Sequence, residues 1–353
     1  MLTLRPSALL RMLLLATLLG LLTPAVAAAQ APKVDKIAVV TPASRTNLGW
    51  DQQAADGIEA AAAELGIEAL VQENGGYDDI TPILQDLKDD GAGLIVCHAS
   101  TGYPTNCADF AATESVPVVV IEDPKAVVPN LVSDLETQAQ EPAYLAGVLA
   151  ARTTKTGKVG VVVSGEPPTW NFMTVGFAEG LKATNGSAEL IYSVIGEGAY
   201  DDSAGAKRVT EQQLAAGADV IFGMGDGASF GMIEAVREHN KANPDAGARF
   251  IDVIGDKREE YKDVLLTSVV FDFQATYVQM VKDLEAGTFG KVYTLDVQNK
   301  GVRLLDLPAD VPQAVQDKLT AVEADIVAGK VKVSAIGDAE GMRDRLKELG
   351  YLD

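Results

Sequence analysis

Residues 36–72 read KIAVVTPASRTNLGWDQQAADGIEAAAAELGIEALVQ, and this stretch decides the fold. The unbroken apolar run at 37–40 has the character of a buried strand. Residues 52–65 are rich in alanine and stop at Gly66, which predicts a helix with its C-terminal signal. A second strand is predicted at 67–72. Strand, crossover helix and strand in one short stretch is βαβ rhythm, and such units form parallel sheets covered on both faces.

The rhythm continues outward. A helix is predicted at 80–89, a strand at 94–97, a helix at 106–112 and a strand at 116–121. A second series opens with a helix at 141–152, where Pro142 suits the first turn, and its strands restart at Gly157 and Lys158. Strands at 158–163, 188–195, 220–223 and 250–254 alternate with helices at 169–183, 203–216 and 228–241. The predicted fold class is α/β, with two doubly wound parallel-sheet lobes. A chain of 353 residues exceeds what one core usually holds. The domain reading is a leader over 1–29, a first lobe over 30–140, a second lobe over 141–270, and a return to the first lobe with a C-terminal tail over 271–353. That return is predicted to run through strands at 265–270, 292–297, 302–305 and 331–336, with helices at 274–286, 312–327 and 341–349.

Arg5 and Arg11 precede an apolar run at 12–22, and small residues follow Pro24. This predicts a signal peptide cut after Ala27 or Ala29, and a periplasmic protein. The apolar run is short of the ~20 residues that a spanning helix needs. No cysteine lies near the cut, so no lipid anchor is expected. The formal charge of −21 argues against nucleic acid and anionic membranes as partners. Cys97 and Cys107 could close a disulfide after export; two unpaired, partly buried thiols are the alternative. His98 beside Cys97 lacks the spacing of a metal site.

Ligands of open parallel sheets sit outside the carboxyl ends of the strands. This selects the loops at 41–50, 74–78, 98–103, 122–125, 164–172, 196–201, 224–230 and 255–258. In the first loop Trp50 offers a ring for stacking, and Asn47 and Asp51 offer hydrogen bonds; a tryptophan plugging the core is the alternative. Trp170 and Phe172 hold the matching place in the second lobe, where packing between the lobes is the alternative. Tyr103 ends the third loop. Asp123, Asp226 and Asp256 each follow a strand and could accept hydrogen bonds from a ligand. Gly223, Gly225 and Gly227 have GxGxG spacing, which fails the dinucleotide fingerprint, and neither a P-loop nor GxSxG occurs. No cofactor and no enzymatic activity are expected. Replacing Trp50 with alanine is expected to weaken ligand binding and to leave the fold intact.

Several segments resemble one family in order and spacing. Residues 49–57 (GWDQQAADG) are similar to SFNQxAxEG, and residues 144–151 (YLAGVLAA) to YLAGxxAA. Residues 154–160, 176–180 and 217–221 add three more matches. The chain resembles the basic membrane protein, PnrA-like, family of ABC-transporter solute-binding proteins. The resemblance implies a type I periplasmic-binding-protein fold, with three crossovers joining the lobes and a cleft that closes at a hinge. It also implies a monomer that serves an ABC permease and ATPase. Nucleoside-binding members stack an aromatic from each lobe on the base. Trp50 matches the first-lobe aromatic, Asp256 the acid of VIGxD, and Asp123 or Glu122 the base-contacting acid. Where the family has a sugar-contacting lysine this chain has Phe271, and Asp51 replaces an asparagine. The implied function is capture of a planar, ring-containing solute such as a purine nucleoside or nucleobase. A receptor for a membrane sensor kinase, or a binder of sugar or another solute, is the alternative.

Overall fold

Two six-stranded sheets carry the chain in the computed structural model, which describes residues 33–353. The leader expected at 1–29 lies outside the described residues. The first lobe begins β1 (Lys36–Val40), α1 (Trp50–Leu65), β2 (Glu68–Gln72), α2 (Thr81–Asp89), β3 (Leu94–Cys97), α3 (Tyr103–Glu114), β4 (Val118–Ile121) and β5 (Val132–Thr137). α4 (Gln140–Thr153) crosses to β6 (Lys158–Val163), α5 (Pro168–Thr184), β7 (Glu189–Val194), α6 (Ser203–Ala215), β8 (Val220–Met224), α7 (Ser229–Ala242), β9 (Arg249–Ile254), α8 (Arg258–Tyr261) and β10 (Leu265–Phe271). α9 (Gln274–Glu285) then packs on α1 and leads to β11 (Val292–Leu295), β12 (Val302–Leu304), α10 (Gln313–Val327) and α11 (Ala339–Glu348).

The sheet orders are β11-β5-β4-β3-β1-β2 and β12-β10-β9-β8-β6-β7, so the two lobes repeat one winding. Every pairing of these strands is parallel except that of β10 with β12. β3 and β4 are buried throughout, as strands covered on both faces must be. The chain passes between the sheets after β5, after β10 and after β11.

The structure departs from the sequence reading in the tail and in one inner strand. Residues 302–304 pair antiparallel with β10 of the second sheet, and of the tail only β11 joins the first sheet. α10 and α11 pack on α4 and α5, so the stretch after β11 braces the second lobe and does not complete the first. The expected strand at 331–336 is irregular, and there the Glu179 carboxylate, not a neighbouring strand, accepts the backbone N–H and the hydroxyl of Ser334. β5 was hidden in the sequence by Ser133 and Asp134. Both are fully buried, and Ser133 Oγ accepts the N–H groups of Gly290 and Lys291.

The family-like motifs at 144–151 and 176–180 acquire a physical cause where α4 crosses α5. A Cβ added to Gly147 would stand 2.1 Å from the Phe177 carbonyl oxygen, and one on Gly180 would stand 2.1 Å from that of Tyr144. Two backbones in contact cannot yield as a flexible side chain would. Gly180→Ala should therefore destabilise the protein by about 1–3 kcal/mol, read as a lower urea midpoint; an unchanged midpoint would refute close crossing as the role of this glycine.

Candidate functional site

The cleft between the lobes is built from loops at the carboxyl ends of the strands, as an open parallel sheet dictates. α1 starts at Trp50, two residues earlier than the periodicity predicts, because Gly49 holds a non-helical backbone just before it. The first N–H groups of a helix have no partner within it. Trp50 N–H donates instead across the cleft to Asp226 Oδ1 at 2.9 Å, where the helix dipole also favours a carboxylate. A Cβ on Gly49 would fall 2.5 Å from that oxygen, so this approach needs glycine.

Trp50 is both core and cleft wall. Its ring stacks on His98 at 4.2 Å and meets Phe271 and Phe273 edge-on at 5.9 Å and 5.6 Å. Its Nε1–H donates to the His98 carbonyl at 2.8 Å. Burial lowers the His98 pKa to about 3, so the imidazole stays neutral. His98 follows Cys97, which is bonded to Cys107 on α3. That disulfide ties both ends of the loop whose residues Ala99, Ser100 and Thr101 line the cleft.

Trp170, on the first turns of α5, faces the same cavity from the second lobe and donates Nε1–H to Ser164 Oγ at 3.1 Å. Tyr77 and Tyr200 complete the lining, with ring centroids 5.7 Å apart. Neither tyrosine was singled out from sequence, although both lie in the selected loops. The available signal was a short repeat. Residues 75–79 read GGYDD after β2 and residues 198–202 read GAYDD after β7, the equivalent strand of the other lobe. In each copy the second aspartate serves the next helix: Asp79 accepts from Thr81 N–H and Asp202 from Gly205 N–H.

The other candidate residues separate. Asp51 is buried, accepts Ala43 N–H at 2.9 Å, and lines the cleft with Asp201 and Asp226. Phe172 packs against Gly337 of the tail, because residues two apart on a helix point to nearly opposite sides. Tyr103 is fully buried, with its hydroxyl close to Gly75, and stands behind the cavity wall. Asp256 is held by the Arg258 guanidinium, Nη2 to Oδ2 at 2.6 Å, beside a second groove lined by Gln53, Phe271 and Arg303. Asp123 is half-buried and lies outside the lining, whereas Glu122 bridges the lobes by accepting the hydroxyls of Thr137 and Thr169 at 2.6 Å and 2.9 Å. Asn47 ends the short turn Arg45–Asn47, and its side chain lies outside what the structure describes. Among the described residues no cluster of metal-ligating side chains occurs, and no helix is long and apolar enough to cross a membrane.

Burial, joined by the charge of Asp51, raises the Asp226 carboxyl to about 7. Burial raises Glu122 to about 7 as well, against the opposing pull of the two threonine hydroxyls. Their ordinary values are 3.8 and 4.5, so the folded chain binds both protons more tightly than the unfolded one. Their stabilising contribution is therefore full below about 4 and disappears as the pH rises through about 7. Urea unfolding across that window should show stability falling from this source, and Asp226→Asn with Glu122→Gln should flatten the slope. An identical slope in the double variant would exclude these two groups as its origin.

The family described as ABC transporter substrate-binding protein PnrA-like has a model that matches residues 34–336. The ABC transporter nucleoside-binding protein BmpA of Lactococcus lactis is 24% identical over 326 residues, covering 84% of this chain and 88% of the relative. Basic membrane protein A of Borreliella afzelii is 24% identical over 309 residues, covering 85% and 91%. Among solved structures, an ABC transporter solute-binding protein from Aeropyrum pernix superposes with a TM-score of 0.76 at 19% identity, covering 90% of this chain and 97% of the other. One from Conexibacter woesei gives 0.70 at 21% identity, covering 86% and 99%. These structures share the type I periplasmic-binding fold with this chain.

Proposed function

The chain belongs to the ABC transporter substrate-binding protein PnrA-like family, and from that premise we propose that it captures a planar, ring-containing solute by closing its lobes. The observation that carries this reading is the convergence of four rings, Trp50 and Tyr77 from one lobe and Trp170 and Tyr200 from the other, on one cavity. A flat solute held there is touched from both sides only when the lobes are together. Binding then favours the closed state by that difference in contact. The nucleoside-binding relative makes nucleosides and nucleobases the reference ligands. The loaded receptor would act in the periplasm, delivering its solute to a separate permease and ATPase.

Phe271, where nucleoside binders of the family carry a lysine, packs edge-on against Trp50. The position contributes an apolar support to the ring wall in place of a sugar-contacting cation, which favours recognition of the ring itself.

The test is mass spectrometry of small molecules released from gently purified protein, followed by X-ray scattering of the stripped protein with each one added back. A released ring compound that lowers the radius of gyration is the expected result. A protein that carries no solute and that no nucleoside or nucleobase compacts would overturn the reading.

A further inference from the structure

We infer that the ring captured in this cleft is a cation: a quaternised or protonated heteroaromatic ring, in preference to a neutral nucleoside. The inference rests on the proposed capture site and adds the charge of its ligand.

Four aromatic rings, those of Trp50, Tyr77, Trp170 and Tyr200, line the cavity. Both tryptophan N–H groups are already donated, Trp50 to the His98 carbonyl and Trp170 to Ser164, so the indoles have no donor left for a solute. An indole or phenol face carries negative electrostatic potential, and a cation over it gains about 0.5–2 kcal/mol, most where water is excluded. The charged groups of the cleft have the same sign. Asp226 lines the ring cavity, and Asp51 and Asp201 line its continuation past Tyr77 and Tyr200. No lysine or arginine lines either space.

The charge reaches the rings. Both phenols are held above their ordinary pKa, first by burial and next by the charge of Asp226. The buried cation in this region, Lys257, is committed to Asp252 at 2.6 Å, both side chains being fully enclosed. Closing the lobes on a neutral solute sets the Asp226 charge against that of Asp51 in a drier space or makes Asp226 take up a proton. Closing them on a cation keeps Asp226 ionised and places the positive charge among the aromatic side chains that line the cavity. The repeat GGYDD and GAYDD supplies a tyrosine from each lobe, and in the second copy the neighbouring Asp201 lines the same space.

The test uses the full-length protein, stripped of solute, and a matched pair of bicyclic probes, N-methylquinolinium and quinoline, at a pH where quinoline is neutral. Inosine serves as the neutral nucleoside. Binding is followed by tryptophan fluorescence and calorimetry, and closure by X-ray scattering. The expected result is binding of N-methylquinolinium about tenfold or more tighter than quinoline, with the preference removed in Asp226→Asn. Asp201→Asn, at an exposed position, should reduce the preference without touching the core, which keeps the test sound if Asp226→Asn does not fold. Quinoline or inosine binding as tightly as the cation, a cation that does not bind, or a preference unchanged in both variants would overturn the inference. Closure on inosine with no response to the cation would remove the charge assignment and leave the capture reading standing. Failure of every probe and every released solute to close the lobes would remove both.

Discussion

Trp50→Ala should lower solute affinity by about a hundredfold, the loss expected when a central aromatic anchor is truncated. The same variant should also lose about 3–5 kcal/mol of folding stability. The second half of this expectation comes from the structure and reverses the sequence reading, in which the fold was left intact. Trp50 is 9% exposed and belongs to the main hydrophobic core. It stacks on His98 and is flanked edge-on by Phe271 and Phe273, so its removal opens a cavity that those rigid rings cannot collapse to fill. It also strands the His98 carbonyl, which accepts the indole N–H. Calorimetry with the solute released from the wild type, at a temperature where the variant is folded, measures the first loss, and urea unfolding measures the second. Trp50→Phe should recover much of the stability and only part of the affinity. Full affinity in the alanine variant would remove Trp50 from the site, and an unchanged urea midpoint would remove it from the core.

Lys257→Met should destabilise the protein by about 3–5 kcal/mol, because it leaves the Asp252 carboxylate buried without its counter-charge. The ammonium and carboxylate lie 2.6 Å apart, and neither side chain has any exposure to water. Asp252→Asn combined with Lys257→Met should recover a large part of the loss, since the cost lies in the uncompensated charge and not in the missing attraction. Chemical denaturation of the wild type, both single variants and the double variant closes the cycle. A double variant as unstable as the sum of the two singles would show that the pair acts as two independent groups. Lys257 also exerts a charge on Asp226, so both variants containing Lys257→Met should hold the Asp226 proton more tightly than wild type.

The alternating strands and helices were legible because each strand buried on both faces is almost purely apolar, and because glycine stops several helices. β5 was not legible. Ser133 Oγ accepts from the N–H groups of Gly290, 157 positions away, and Lys291, both just before β11, and Asp134 Oδ1 accepts from Asp123 N–H. The site was legible at the level of loops and less so for individual side chains. Trp170 and Phe172 are equivalent in a list of aromatics, yet the helix turns one into the cleft and the other onto Gly337. Asp226 and Asp256 both follow strands, yet the first is buried in the cleft against Trp50 N–H and the second is exposed and held by Arg258 beside another groove.

By itself the sequence determined a two-lobed α/β architecture and placed Trp50 in the loop after its first strand, because burial periodicity and helix stops are local properties of the chain. Which strand of the tail joins which sheet, which acid meets Trp50 N–H, and how Tyr77 comes to face Tyr200 were decided by tertiary structure alone. Trp50 and Asp226, Tyr77 and Tyr200, and the paired residues of β5 and β11 lie more than a hundred positions apart, and no local propensity encodes which of two chemically equal partners the packing will bring together.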